Sequence, residues 1–465
     1  MTTTTTPSVT KRVFLPSAPA IEEMITIEPG QESNPNGHNP VGPDKDKKIP
    51  PPDDSILAAR WLTMNPLTGW GMGEFRRYQS GVWVAVDTDD IRKEIKATVE
   101  AARPEGVRAT NARLESTLEL ARVDISRRSD AWDSNHDYLV CKNGALHIPT
   151  RTLQPHNPEL YATSGLDFDY SPTAKAPVFE SVLTQCIPGA AEFVQEFAGY
   201  ALTVDTSHEI ALWLYGPPGS GKSTVLAGLQ AMLGERAGLL GLADIERSRF
   251  SLNNLPGKTL VISTEQPDSY MAATHILNAI ISGEPLTIEQ KFRDAVKITP
   301  RAKVAWAMND LPRVNGANNG VMRRVKVVKF PAITEADRNP TVKERVKTEG
   351  AGILNWALVG LARLRERGRF VVPECVIDAT NEFRDSNDIP ALFLEEAGCL
   401  RGDQYETTGG QLYDRYKTWC MDTGHKAQSS TSLANDWRRL GLEKRRMNGK
   451  TFWRGVGFPV EQVGD

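Results

Sequence analysis

Residues 211–229 read ALWLYGPPGSGKSTVLAGL. An apolar strand runs into a glycine-rich loop, and the loop runs into a helix. No other stretch constrains the fold as tightly, because the pattern works only where a buried strand delivers the loop to a helix start. Its core is Gly216-x-x-x-x-Gly221-Lys222-Ser223. Glycines let backbone N–H groups converge on phosphate oxygens without Cβ clashes, and the helix adds its positive end. The candidate nucleotide-binding residues are therefore Gly216, Pro217, Pro218, Gly219, Ser220, Gly221, Lys222, Ser223 and Thr224. Lys222 is expected to reach the β- and γ-phosphates and the Ser223 hydroxyl to hold Mg²⁺, so ATP and Mg²⁺ are the expected ligands. The motif is silent on how the energy of the γ-phosphate is used.

Such a loop needs a carboxylate at the end of a neighbouring strand, to orient water and steady the metal. In GKTLVISTEQPD the strand is expected at Thr259–Ser263, with Glu265 just past its end and Thr264 where an Asp would usually stand. Ser223 and Glu265 are thus the candidate metal-side residues. A third strand, AKVAWAMNDLP, ends at Asn309. An amide there can hydrogen-bond a γ-phosphate or the attacking water; Asn before Asp-x-Pro is also ordinary turn chemistry. In GVMRRVKVVKF, Arg323 and Arg324 are expected at the start of a strand. They are either a solvated pair at a sheet edge or a guanidinium delivered to a neighbour's γ-phosphate, worth about 10³–10⁵ in rate.

The rest of the chain divides by pattern. Residues 1–52 hold 10 of the 30 prolines and few large apolar side chains, the composition of a disordered tail. Residues 53–185 read as a small α+β domain. It holds the helix SILAARWLTM, the hairpin EFRRYQSGVWVAV, the capped helix DTDDIRKEIKATVEAA, and the hairpin YLVCKNGALHI with a turn signal at Asn143-Gly144. Over 186–370 the strands IALWLY, TLVIS, KVAWAM and VKVVKF alternate with helices, the mark of an α/β fold with a parallel sheet. Leu226, Leu229, Met232 and Leu233 share one face of the helix after the loop, and GILNWALVGLARLRER ends at a capping Gly368.

Residues 371–465 read as helix, helix and basic hairpin, the order of a winged helix. GGQLYDRYKTWCMDTG is the first helix. STSLANDWRRLGL is the second, capped by Ser430 or Thr431. EKRRMNGKTFWRGVGF turns at Asn448-Gly449. Between Trp437 and Arg454 lie Arg438, Arg439, Lys444, Arg445, Arg446, Lys450 and Arg454 against the single Glu443, a net +6. Duplex DNA phosphates are the natural partner; a solvated face or a protein contact is the alternative.

Composition excludes several classes. The net charge of −3 means that any nucleic-acid surface must be local. Five cysteines without a C-x-x-C argue for a reducing, cytoplasmic setting and against a disulfide or zinc framework. The seven histidines show no metal-ligand spacing. No apolar run approaches the roughly 20 residues of a membrane span, so no membrane partner is expected, and MTTTTTPSV lacks the pattern of a secretory leader. Asp87-Thr88-Asp89 has the D-x-D spacing of a polymerase metal pair but sits where a helix cap is expected.

Loop, acidic strand end, basic segment and Asn fall within 94 residues, Gly216 to Asn309. That compactness resembles the superfamily 3 helicases, a ring-forming branch of the AAA+ ATPases. More narrowly, the chain resembles the helicase half of phage and plasmid primase–helicases, whose relatives include poxvirus replication ATPases. The matching text is YLVCKNGALHIPTRTLQPH, FAGYALT, GPPGSGKST, VISTEQ, ISGEPLTIEQKFRD, AWAMNDLP, MRRVKVVKF and QLYDRYKTWCMDTG with LGLEKRRMNGKTFWRGV.

The resemblance implies a P-loop AAA+ ATPase core between a small α+β domain and a winged-helix domain. It implies Glu265 as catalytic base, Asn309 as sensor, and Arg324, with Arg323 beside it, as a finger for the adjacent subunit. In ISGEPLTIEQKFRD it places Lys291, with Arg293, on single-stranded DNA inside a hexameric homo-oligomeric ring. Glu284 stands where many relatives have Asp, and Gln290 where many have Arg. Travel from 3′ to 5′, a separate primase or polymerase partner and a bacterial host cytoplasm follow from the same resemblance. The alternatives are an origin-binding initiator ATPase without processive unwinding and, from a different class, a P-loop small-molecule kinase.

Overall fold

The computed structural model describes residues 50–459 except 248, 267–269, 272–273, 290–294, 315–318 and 335–338. Apart from Pro50–Pro52, the expected tail lies outside the described residues.

The chain begins with local signals that act as the sequence suggests. The Asp53 carboxylate accepts from the N–H groups of Ser55 and Ile56 and starts the helix Asp54–Met64. Asp87 accepts from the Asp89 N–H and starts Thr88–Ala101, so the D-x-D pair is a cap. Leu57, Trp61, Phe75, Ile91, Ile95 and Leu118 join these helices, the helix Asn111–Asp124 and an antiparallel sheet (Thr68–Gly71, Glu74–Gln79, Val82–Val86) in one small core.

A second antiparallel sheet (Tyr138–Cys141, Gly144–His147, Thr152–Gln154) follows. Its first turn lies one residue earlier than the Asn-Gly pair suggests. Cys141 pairs with Gly144, leaving Lys142 and Asn143 as the loop. The Asn143 amide is held there from both ends, donating to Tyr170 O and accepting from Tyr170 N at 2.9 Å each. Leu139, Leu146 and Leu166 belong to the same hydrophobic cluster as Phe179, Phe197, Leu226 and Leu354.

The centre is a five-stranded sheet: β1 Ala211–Tyr215, β2 Ala237–Leu239, β3 Leu260–Ser263, β4 Lys303–Met308 and β5 Val325–Lys329. All pairings are parallel, and the order in space is β5-β1-β4-β3-β2. Side chains alternate between two apolar layers, as the period of two requires. Leu212, Leu214, Ala305, Ala307 and Val328 face one cluster; Trp213, Val304, Trp306, Val325 and Val327 face the other. Burial on both faces explains why β1 and β4 are almost wholly apolar.

On the first face lie Lys222–Leu233, here α1, and Gly350–Arg367. The latter is tied to Ala191–Ala201 by a buried carboxylate: Glu196 is 2% exposed and meets Arg363 Nε at 2.6 Å and Arg367 Nη2 at 2.5 Å. On the other face Glu374–Ser386 packs Ala379 and Phe383 into the core, and Thr380 Oγ1 accepts from the β5 N–H of Val327 at 3.0 Å.

Three helices (Ile389–Glu396, Gly409–Asp422, Ser430–Arg439) and an antiparallel sheet (Leu400–Thr408, Glu443–Met447, Lys450–Gly457) then enclose Phe393, Tyr416, Trp437 and Trp453. The cap of Ser430–Arg439 is Ser429, rather than Ser430 or Thr431, with Ser429 Oγ accepting from Ser432 N. Arg323 and Arg324 end the short helix Asn319–Arg324 instead of starting a strand; β5 begins at Val325. Among the described residues no helix is long and apolar enough to cross a membrane, and all five cysteines are unpaired thiols.

Candidate functional site

The carboxyl end of a parallel sheet is where ligands bind in open α/β folds, in the crevice outside the strand ends. Here that edge carries the glycine loop. Gly216 N–H donates to Met308 O at 3.3 Å and Phe330 N–H to Tyr215 O at 2.7 Å, so the ends of β1, β4 and β5 are laced together where the loop departs. Gly216 has φ +151°, and a Cβ there would lie 2.3 Å from Phe330 O. Gly221 has φ +98°, and its Cβ would lie 2.9 Å from Cys186 Sγ. Neither position admits a side chain without moving its neighbours.

α1 starts at Lys222 with no side-chain cap; the Thr224 N–H donates to Gly221 O, and the Lys222 and Ser223 N–H groups point out of the helix start, where an outside acceptor can meet them. Lys222 is 5% exposed. Its Nζ donates to Gly216 O at 2.5 Å, Pro217 O at 2.8 Å and Ser220 Oγ at 3.2 Å. Burial pulls this ammonium below its ordinary pKa. Ser220 is buried, while Ser223 and Thr224, on the first turn, are half-buried.

A cavity of about 460 Å³ opens at this edge, lined by Tyr215, Gly216, Pro217, Pro218, Asn309 and Asp310 together with Lys329 and Phe330. The structure thus brings Asn309, 88 residues beyond Gly221 in the chain, to the same pocket as the loop. Lys329 and Phe330 are additions that the sequence reading missed. Their signal was available only in hindsight of the strand order, because β5 lies beside β1 and ends level with it, Lys329 opposite Tyr215. Glu265 is exposed two residues past β3, on the same edge but not among the lining residues. Its backbone oxygen accepts from Ser263 Oγ at 2.8 Å.

Arg323 and Arg324 lie elsewhere. Val325 pairs with Ala211 at the start of β1, so both arginines sit at the amino edge of the sheet. Five residues of strand, about 16 Å, separate Arg324 from Lys329. Neither arginine is at its own chain's pocket. They also differ from each other. Arg324 has an 11% exposed side chain, pairs with Glu209 Oε2 at 2.7 Å and donates from Nη1 to Gly320 O at 3.3 Å. Arg323 is exposed.

Lys291 and Arg293 lie outside the described residues. The strands flanking them, Leu286–Ile288 and Val296–Ile298, form an antiparallel hairpin with Ile288 opposite Val296. In the carboxyl-terminal sheet, Lys444, Arg445, Arg446 and Lys450 are exposed. Alternation splits them: Lys444 stands opposite Trp453 and Arg446 opposite Thr451, while Arg445 stands opposite Phe452 on the other face. Arg438 is exposed and donates to Asn435 Oδ1. Arg439 makes a two-pronged pair with Asp388, both contacts 2.7 Å, and its guanidinium is held above its ordinary pKa chiefly by that bond. Arg454 is shared between Asp403 and Glu443.

Among the described residues, no three His, Cys, Asp or Glu side chains converge as a ligand set for a metal ion. The donor set that does fit a metal is the one a nucleotide completes. Mg²⁺ keeps several waters and takes one or two protein oxygens plus phosphate oxygens, and Ser223 stands on the first turn of α1 beside the cradle.

Parts of the chain are similar to known proteins. Residues 68–188 match the family described as D5 N terminal like. Residues 214–324, from the end of β1 to the arginine pair, match one described as a family of unknown function (DUF5906). A protein of Invertebrate iridescent virus 3, named putative helicase 121R, is 22% identical over 340 residues, which cover 63% of this chain and 36% of that protein. The chain therefore spans about a third of the length of this relative. Among solved structures, an A-form apo structure of the NrS-1 C terminal region shares 11% identity and a TM-score of 0.49, covering 87% of this chain and 100% of that one. A further apo structure of the same region shares 12% identity and a TM-score of 0.49, covering 87% and 99%.

Proposed function

We propose that this chain is an ATP-driven DNA helicase of phage or plasmid replication, of the superfamily 3 type, working as a homo-oligomeric ring. The observation that carries the reading is the shared pocket. A glycine loop, a buried lysine and the strand-end Asn309 meet at the carboxyl edge of a parallel sheet. The viral relative named a putative helicase and the D5 N terminal like match support the assignment to replication.

The residues fit a nucleoside triphosphate. The backbone N–H groups of Gly216–Gly221 and the start of α1 would hold its phosphates. Lys222 would exchange its carbonyl partners for phosphate oxygens, which would restore the charge that burial disfavours. Ser223 and Glu265 would hold Mg²⁺, which when bound neutralises charge on the phosphates. Glu265 would accept the proton of the attacking water, and Asn309 would position that water or the γ-phosphate.

Arg323 is the side chain best placed to enter a neighbour's pocket, because it is exposed on the edge away from its own. Arg324 would hold that corner in place through Glu209. Hydrolysis would then need an assembled ring. The segment with Lys291 and Arg293 would contact the translocated strand. The three helices and sheet after Asp388 would act as a winged helix on duplex DNA, through Lys444 and Arg446 on one face of the hairpin, Arg445 and Lys450 on the other, and Arg438 on the preceding helix.

Two assays test the reading: ATP hydrolysis with and without single-stranded DNA, and strand displacement from a forked duplex. Hydrolysis that rises with DNA and is lost in Lys222→Ala and Asn309→Ala, together with displacement, is the expected result. Stimulation without displacement would favour an origin-binding initiator. Hydrolysis indifferent to DNA would overturn both and leave the small-molecule kinase.

A further inference from the structure

A cation stands at the nucleotide pocket that none of the roles above uses. Among the described residues lining that cavity, Lys329 is the one cation and Asp310 the one carboxylate. Lys329 is the last residue of β5 and lies opposite Tyr215, the residue before Gly216. Neighbouring strands are about 4.8 Å apart, a gap that the four-carbon stem of a lysine spans. The backbone on both sides of Lys329 is fixed: Phe330 N–H donates to Tyr215 O at 2.7 Å, and Val327 N–H donates to Thr380 Oγ1 at 3.0 Å.

Along β5, Val328 belongs to the apolar cluster under α1, and Val325 and Val327 belong to the other. Alternation puts Lys329 with Val327, on the side of the helix Glu374–Ser386. There its Nζ meets Glu382 Oε2 at 2.7 Å. The helix is anchored twice more. Thr380 ties it to β5, and just past its end Asn387 Oδ1 accepts from Val314 N–H at 2.7 Å. Val314 lies five residues beyond Asn309. The two strand-end walls of the pocket, one bearing Asn309 and the other Lys329, are thus held from one helix, and Glu382 is fixed beside them.

The ion pair itself is loose. The side chains of Lys329 and Glu382 are 53% and 60% exposed. Their hydrogen bond holds the ammonium above its ordinary pKa, so it is charged at neutral pH. Exposed pairs of this kind contribute little, whereas charge-assisted bonds to phosphate are among the strong ones. Lys329 can therefore exchange a carboxylate for a phosphate oxygen at small cost. Lys222 does not fill this place: it is buried on Gly216 O, Pro217 O and Ser220 Oγ and is not among the lining residues.

The neighbours decide which phosphate. The pocket takes in only the first part of the loop, Gly216–Pro218, and not the start of α1, where backbone N–H groups would cradle the inner phosphates. It does take in Asn309, the amide assigned above to the γ-phosphate or the attacking water. We propose that Lys329 is a specificity residue for the terminal phosphate: its ammonium leaves Glu382 for the γ-phosphate of ATP, finds no such partner in ADP, and so makes the pocket prefer the triphosphate. The inference rests on the nucleotide-binding part of the function proposed above and adds a contact that the glycine loop, Glu265 and Asn309 do not require.

The test is calorimetric titration of the full chain, in Mg²⁺, with ATPγS and with ADP. Lys329→Gln should weaken ATPγS binding by about tenfold and ADP binding by less than about twofold. Lys329→Arg should keep most of the wild-type ratio between the two. Glu382→Gln frees the lysine and should tighten ATPγS by up to about fivefold, with ADP unchanged. Without nucleotide, the melting temperature of all three should stay within about 2 °C of the wild type.

Equal losses for both nucleotides in Lys329→Gln would put the lysine on an inner phosphate or on the nucleoside and overturn the proposal. Unchanged affinities would overturn it as well. A Glu382→Gln protein that loses ATPγS as Lys329→Gln does would make the ion pair a structural support and overturn the exchange. In each of these cases the nucleotide pocket stands. A wild-type chain that binds neither ATPγS nor ADP would overturn the pocket reading itself, and this inference with it.

Discussion

Replacing Arg324 and Arg323 separately should give opposite phenotypes. Arg324 has an 11% exposed side chain and a 2.7 Å contact to Glu209, which is 39% exposed. Removing one partner of a fully buried pair costs about 3–5 kcal/mol, and an exposed pair is worth about 0–1 kcal/mol. With one partner buried and the other two-fifths exposed, Arg324→Ala should cost about 1–2 kcal/mol. At about 2–4 °C per kcal/mol for a domain of this size, the melting temperature should fall by about 2–8 °C. Adding Glu209→Gln to Arg324→Ala should cost little more, because the carboxylate it neutralises has already lost its partner.

Arg323 is exposed, so Arg323→Ala should leave stability within about 0.5 kcal/mol. If Arg323 completes a neighbour's site, ATP turnover in the presence of single-stranded DNA should fall by about 10³ with ATP binding retained. Differential scanning fluorimetry and steady-state hydrolysis read both quantities on the same samples. An Arg324→Ala protein with unchanged melting and abolished turnover, beside a fully active Arg323→Ala, would refute the division of labour.

Lys222→Ala should lose ATP binding and the thermal stabilisation that ATP confers, measured as a melting shift on titrating ATP. Gly216→Ala should do the same while also destabilising the chain, because its Cβ would meet Phe330 O at 2.3 Å; a fully ATP-responsive Gly216→Ala would contradict the cradle. Glu196→Ala leaves Arg363 and Arg367 facing each other at a buried site and should cost about 2–3 kcal/mol in urea unfolding, below the fully buried value because both arginines are partly exposed. Glu94 is held below its ordinary pKa chiefly by its hydrogen bond from Arg77. A depressed carboxylate stabilises above its unfolded pKa, about 4.3, and that contribution is lost as pH falls through the folded value. Glu94→Gln should therefore cost less than about 1 kcal/mol at neutral pH and almost nothing in acid, as read by melting across pH.

The loop, its strand and its helix are legible in the sequence because their signals are local. Gly216, Gly221 and the apolar run before them act within a few residues. Asp87 is legible for the same reason. What the sequence hides is contributed by neighbours in space. β2 is only three residues long, with Gly238 at its middle, too short for a period to show. The strand Leu400–Thr408 is half polar because it flanks a small sheet with one face in water. Lys329 and Phe330 reach the pocket only because β5 lies beside β1, a long-range pairing that no local pattern encodes. The two adjacent arginines look alike in the sequence, and only Glu209, 115 residues before Arg324, tells them apart.

In the proposed function the catalytic unit is an assembly around a polynucleotide. The most direct measurement is ATP turnover per chain as a function of chain concentration, with and without an oligothymidylate. For such an assembly the per-chain rate should collapse on dilution and be restored by the oligonucleotide. A per-chain rate that stays constant down to isolated single chains and ignores the oligonucleotide would contradict it.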